Sequence, residues 1–214
     1  MPKRGESVRA ADSNSYSAMK RIISISFIII LATLSLFAQS GDRLPLKTVP
    51  SVDLNKYAGQ WYEIAKYPNK FQKQCVGNTT AVYSLKDEGK IEVLNRCLKK
   101  DGTVNDAKGE ARVADRATKA KLEVRFAPGF LSWLPQVWGD YWVIDLPSDY
   151  SYSVIGTPDH KYFWILSRQP QMDDSTYQAI LRRAEQQGFV PAKVIKTPQG
   201  LESGKGTALT KSED

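Results

Sequence analysis

Side chains able to do chemistry are scarce in this chain. The only histidine is His160, set in a loop between "TPD" and "KYF". A general base has to reach its proton within hydrogen-bond distance, and a lone loop histidine is expected to be solvated instead. No Ser-His-Asp set assembles around it. The two cysteines, Cys75 and Cys97, form an even pair and read most simply as a disulfide if the chain is exported. That pairing would remove both thiols from nucleophilic use; free thiols or a metal pair are the alternatives, and further ligands are lacking. Metal clusters and phosphate-cradling glycine loops are absent. Asp173-Asp174 precedes an amphipathic stretch and reads as a helix start before a glycosidase pair. The expectation is no catalytic residue, no metal and no cofactor. Aromatic surface is what the chain has in quantity, with five Trp, ten Tyr and seven Phe.

Charge and the N-terminus bound the setting. Residues 1–40 carry Lys3, Arg4, Arg9, Lys20 and Arg21 against Glu6 and Asp12, so +3 of the formal +7 lies there. The remaining excess has no basic run, and no nucleic-acid partner is expected. "MKRIISISFIIILATLSLFAQSG" has a basic start, an apolar run from Ile22 to Phe37, and small residues at Ala38 and Ser40. This is the order of a secretory signal, and the run is shorter than the ~20 residues of a spanning helix. A cleaved export segment over 1–40 is expected, with Met19 as the true start. No cysteine lies near the cleavage site, so lipid attachment is not expected there. An exported protein is expected.

From residue 59 onward, short alternating runs separated by turns predict an all-β domain. The strands are expected at 59–67, 78–85, 91–98, 106–114, 120–126, 139–146, 150–156 and 161–168. Connections alternate between short and long, which suits an eight-stranded up-and-down antiparallel β-barrel with one tight and one open end. Closure removes exposed edges, and eight strands leave room for one small ligand. In "MDDSTYQAILRRAEQQGFVP", Tyr177, Ile180, Leu181 and Ala184 fall on one helical stripe, with Gly188 at the stop. One C-terminal α-helix should pack outside the barrel. The barrel and helix are expected over 41–198, and "TPQGLESGKGTALTKSED" reads as loose, with 199–214 a flexible tail. Folding the hairpin about 87–88 sets Cys75 opposite residue 100, an offset of three that a bulge would have to absorb.

Three motifs in order resemble the lipocalins, chiefly the bacterial outer-membrane, apolipoprotein D and plant temperature-induced branch. They are "GQWYEIAKYP", "DYSYSVIG" and "YFWILSRQP", spread through a resemblance running from about Leu54 to Thr197. The middle motif is partial, with Pro147-Ser148-Asp149-Tyr150 standing where the family often has Thr-Asp-Tyr. Seven reversals return the eighth strand to the end where the first began. Trp61 and Arg168 should therefore meet, the guanidinium lying over the indole, with Asp149 and Tyr150 at the same end as a structural plug. Gly59 is expected to give the tight turn there, at a point where a side chain would obstruct the chain.

The resemblance implies non-covalent binding of a hydrophobic ligand, a fatty acid or lysophospholipid, in the bacterial envelope, by a monomer or weak dimer. It implies that Trp164 faces the pocket; Tyr141, Tyr83, Phe130 and Trp138 are the further lining candidates, with core packing the alternative for each. Trp142 should point outward. The loop "APGFLSWLPQVWG" is apolar at the open end, and reads as a lid or as a membrane or partner contact over 127–138. Lys66, Lys70 and Lys73 could meet an anionic head group, with ordinary surface solvation the expected role. A lipid- or pigment-modifying enzyme on the same barrel is the competing class, with an envelope stress or partner-binding protein that holds no ligand the third reading.

Overall fold

The computed structural model describes residues 45–86, 90–127, 131 and 134–202. A single-turn helix, α1 (Leu54–Tyr57), is N-capped by Asp53, whose Oδ1 accepts from Asn55 N. Eight antiparallel strands follow: β1 (Gly59–Lys66), β2 (Cys75–Leu85), β3 (Ile91–Lys99), β4 (Val104–Val113), β5 (Lys121–Arg125), β6 (Gly139–Asp145), β7 (Tyr152–Gly156) and β8 (Phe163–Ser167). Each pairs with the next, and β8 returns to β1, which also pairs with β2, so the barrel closes. After α2 (Asp174–Gln186), a two-residue strand β9 (Ile195–Lys196) adds to β1.

The sheet has two burial layers because side chains alternate along each strand. Trp61, Tyr83, Val93, Ala111, Leu122, Tyr141, Val143 and Ile155 fill the inside. Ile64, Ile144, Val154, Phe163 and Ile165 face out and are covered by Tyr177, Ile180, Leu181 and Ala184 of α2. The helix starts where expected, with Asp173 accepting from Thr176 N at 2.9 Å. Trp142 also joins this outer layer, and Lys121 Nζ lies 4.3 Å from its ring centroid.

Several boundaries moved for local reasons. The seventh strand starts at Tyr152 rather than 150 because Tyr150 has φ +57° in the preceding turn. The second starts at Cys75 rather than 78. Two irregularities between Cys75 and Thr80 bring Cys75 opposite Lys99 and close enough to Cys97, with a Cα–Cα distance of 5.6 Å, for the disulfide. The expected offset is absorbed there.

The ninth strand was not foreseen, and the stretch after it is not loose at its start. Thr197 N donates to Ile64 O and Asn78 N to Pro198 O, both at 2.8 Å. Gln199 Nε2 bridges the carbonyls of Glu63 and Thr79 at 2.8 and 3.0 Å. The segment thus straps the side of the barrel where β1 and β2, paired only over Gly59–Tyr62 with Thr80–Tyr83, part company. Polar composition hid it: its hydrogen bonds run through backbone and amide groups. The expected export segment and residues 203–214 lie outside the described residues.

Candidate functional site: a cup between a sealed floor and an aromatic mouth

The closed end is a plug. Arg168 Cζ lies 3.7 Å from the Trp61 ring centroid, and Trp61 is fully buried. Arg168 Nη1 donates to Gln60 O at 2.7 Å, and Nη2 to Lys56 O at 2.6 Å and Ala58 O at 3.0 Å. Trp61 Nε1 donates to Tyr57 O at 2.8 Å. The partial middle motif still works: the Tyr150 hydroxyl accepts from Asp53 N at 2.8 Å, and Asp149 Oδ1 from Ser151 N at 3.0 Å. Gly59 has φ +94°, yet a Cβ there would lie 3.5 Å from Arg168 Nη1, an ordinary contact. Backbone conformation, not obstruction, is what requires glycine here.

Beside the plug stand four hydroxyl-bearing side chains; Tyr83 pairs with Gly59, and the Tyr57 ring lies 5.0 Å from that of Trp61. Tyr83 and Tyr141 meet at 2.9 Å, Tyr141 and Tyr57 at 2.8 Å, and Tyr57 and Ser153 Oγ at 2.9 Å. Burial pushes the Tyr57 phenol up to about 12 and lifts Tyr83 and Tyr141 further. These groups stay protonated at any physiological pH. Tyr57 and Ser153 escaped the sequence reading, Tyr57 because it precedes the first strand.

Toward the mouth the lumen changes character. The inward positions there are Ala81, Asn95, Ala107, Gly109, Val124 and Gly139, as the strand register sets them. Asn95, Ala107, Gly109 and Val124 are half-buried and Gly139 exposed; Ala81, which pairs with Trp61, is buried, as are the inward residues of the closed end apart from half-buried Val113. Small side chains in a barrel of this size leave a cup. Trp164 borders it, half-buried, with its ring stacked on Tyr162 at 5.8 Å, and Tyr162 meets Phe71 at 5.5 Å. Phe126 packs over Gly109, where a Cβ would lie 2.7 Å from its ring.

One buried charge pair stands in the wall. Glu63 and Lys66 would face opposite sides of a regular strand, being three apart. An irregularity between Glu63 and Ala65 turns both inward, and Lys66 comes to pair with Trp164. Lys66 Nζ donates to Glu63 Oε1 at 2.7 Å, where Thr197 Oγ1 also donates, at 2.6 Å. Gln72 Nε2 donates to Glu63 Oε2 at 2.6 Å, while its Oε1 accepts from Trp164 Nε1 at 3.2 Å. Surface solvation was the expected role of Lys66; the bulge instead buries it, 7% exposed. Lys70 and Lys73 are exposed in the loop after β1.

Of the other expected residues, Trp138 is not in the lumen. Strand parity puts it outside, its ring between the Arg112 and Arg125 guanidiniums at 4.1 and 5.1 Å. Arg125 is in turn bridged to Glu110 at 2.7 Å. Phe130 lies outside the described residues, as does Trp133 of the same loop; Leu131, Leu134 and Val137 are half-buried. His160 is not simply solvated. It sits at φ +55°, with Nε2 2.8 Å from Gln187 O and its ring 4.7 Å from Phe189, clasping its loop to the end of α2. A ring committed this way is poorly placed to serve as a general base.

Comparison with known proteins agrees with this architecture. The family model described as a lipocalin-like domain matches residues 52–199. Temperature-induced lipocalin-1 of Arabidopsis thaliana is 39% identical over 160 residues, covering 74% of this chain and 85% of the relative. Outer membrane lipoprotein Blc of Escherichia coli K12 is 35% identical over 152 residues, covering 71% and 81%. Insecticyanin from the tobacco hornworm Manduca sexta superposes with a TM-score of 0.56 at 27% identity, over 72% of this chain and 84% of that one. A closed barrel with an outer helix, a Trp–Arg plug and matches of this extent make the assignment direct: the chain belongs to the lipocalin family, whose members generally bind hydrophobic ligands.

Proposed function

We propose that the cup takes up one elongated hydrophobic molecule without covalent chemistry, of the fatty-acid or lysophospholipid class, and stores or carries it in the bacterial cell envelope. The observation that supports this most is the contrast within the lumen, solid at the closed end and lined by small, half-exposed residues toward the mouth. An acyl chain entering such a cup gains about 0.8 kcal/mol per methylene buried. With Lys66 committed to Glu63, the lysines free to meet an anionic head group are the exposed Lys70 and Lys73. The export-type N-terminus and the relative named as an outer membrane lipoprotein support an exported, envelope location. Exposed Phe71, Val104 and Phe126 ring the mouth, at 58%, 52% and 44%, and favour membrane contact by this end, including the 127–138 loop.

Titration with hexadecanoate, followed by tryptophan fluorescence and by native mass spectrometry, tests the reading. A saturable one-to-one complex is expected, with the fluorescence change much reduced in Trp164→Phe. No saturable binding of any single-chain lipid would overturn it; an unaltered response in Trp164→Phe would overturn the pocket role of that residue.

A further inference from the structure

The hydroxyls on the lumen floor do not balance their own protons. Tyr83, Tyr141, Tyr57 and Ser153 form an unbranched row joined by three hydrogen bonds, at 2.9, 2.8 and 2.9 Å. Each of the four hydroxyls brings one proton and each bond uses one. Whichever way the donors run, one proton is left over, and no other described group accepts it. A buried donor without a partner carries the full desolvation cost of the group, so the row calls for one more acceptor.

Burial says from which side that acceptor comes. Ser153 and Tyr57 are 0% and 2% exposed, while Tyr83 and Tyr141 hold what exposure the row has, at 5% and 8%. On their strands the next inward residues toward the mouth are Ala81 and Gly139, so nothing larger than a methyl stands over either phenol along its own strand, while Trp61 on the neighbouring strand is level with Ala81 and flanks Tyr83. Charge says what the acceptor is. Among the described residues no lysine or arginine hydrogen-bonds any of the four hydroxyls, and the Glu63–Lys66 pair in the wall is neutral overall; the charge of Arg168 reaches Tyr57, but its donors are committed to the backbone carbonyls of the plug. A carboxylate against neutral phenols would be desolvated without a counter-charge; a neutral oxygen needs none.

We propose that Tyr83 and Tyr141 form a subsite for a neutral acceptor oxygen, such as a ketone, ester carbonyl or hydroxyl, carried at the inner end of an otherwise hydrophobic ligand. The inference rests on the ligand-binding reading above and narrows its ligand class to chains oxygenated at the buried end rather than ending in a plain methyl. Two isomeric keto acids test it: hexadecanoic acid bearing a ketone beside its terminal methyl, and the same acid with the ketone at mid-chain. They are equally apolar, so their affinities differ by where the oxygen lands. The tail-end isomer is expected to bind about five- to tenfold tighter, the worth of one hydrogen bond. Its infrared ketone band should move to lower frequency on binding. Both effects should vanish in Tyr83→Phe/Tyr141→Phe, which keeps the rings and removes the two hydroxyls. Equal affinities or an unshifted band overturn the proposal and leave ligand binding standing. Binding of neither isomer nor of hexadecanoate overturns both. Should the double variant fail to fold, the isomer ratio and the band in the unaltered protein decide.

Discussion

Replacing Arg168 with alanine should unfasten the closed end, and the cost can be worked from its contacts. The guanidinium donates through Nη1 to Gln60 O at 2.7 Å, and Nη2 faces the carbonyls of Lys56, Ala58 and Tyr57 at 2.6, 3.0 and 3.2 Å. Two Nη2 protons cannot serve three oxygens fully, so the side chain makes the equivalent of three bonds. Charge-assisted bonds of this kind contribute roughly 1.5–3 kcal/mol each when buried. Arg168 is only partly buried, and water can replace part of that after truncation, so about 1 kcal/mol apiece is the fair value. The stack on Trp61 adds about 1 kcal/mol. The sum is about 3–4 kcal/mol, or roughly 6–16 °C in Tm for a domain of this size. Thermal unfolding followed by circular dichroism reads it directly. Arg168→Lys should lose about half as much, keeping the charge but not the planar fork. A midpoint for Arg168→Ala within about 2 °C of the parent would refute the idea that this contact set fastens the barrel floor.

Other consequences are as specific. The Cys75–Cys97 bond closes a loop of sequence separation 22, so its reduction, or Cys75→Ser/Cys97→Ser, should cost about 3 kcal/mol in chemical denaturation; unchanged stability would count against it. Thr197→Val removes one donor from the buried Glu63 carboxylate and should cost about 1–2 kcal/mol, with faster amide exchange at Thr197 and Asn78 as the strap loosens. The Tyr57 phenol is raised by burial, to about 12 against an ordinary 10. A raised acid favours folding below the unfolded value and loses that contribution as pH climbs from 10 through 12. Absorbance at alkaline pH should therefore show Tyr57, Tyr83 and Tyr141 ionising late and together with unfolding. Asp173 is held down to about 2 by hydrogen bonds from the Ser175 side chain and Thr176 N. Its contribution is present above the usual carboxylate range and lost as pH falls toward 2, so Asp173→Asn should flatten the acid limb of the urea midpoint plotted against pH.

The alternation of apolar residues, the turn spacing and the helical stripe at Tyr177, Ile180, Leu181 and Ala184 are local patterns, and they were enough to read eight strands and one outer helix from the chain. The meeting of Trp61 with Arg168 was legible too, because counting reversals brings both to one end. Tyr141 and Tyr83, two of the expected lining residues, lie in the inner cluster, and Trp164, expected from the family resemblance, packs against it. Trp138 escaped because it was read as part of an apolar loop rather than counted in register with β6, where it continues the outward parity of Asp140 and Trp142. What local pattern could not reach were the places where the period breaks. The irregularity at Glu63–Ala65 turns Lys66 from an expected surface residue into half of a buried ion pair, and no property of "EIAK" announces it. The strap from Ile195 to Leu201 has too little apolar content to be read as structure, since it is held by backbone and amide bonds to β1 and β2.

By itself, then, the sequence determined the barrel, its succession of tight and open ends and the plug, because each follows from periodicity or from counting along the chain, and the disulfide partners, because the chain has only two cysteines. Only the tertiary structure decided how the lumen is divided. Whether Tyr57, Tyr83, Tyr141 and Ser153 share one row of hydroxyls depends on which inward positions of separate strands come level across the barrel. Strand tilt and bulges set that level, and these arise from the closure of the whole sheet, not from any one of its strands.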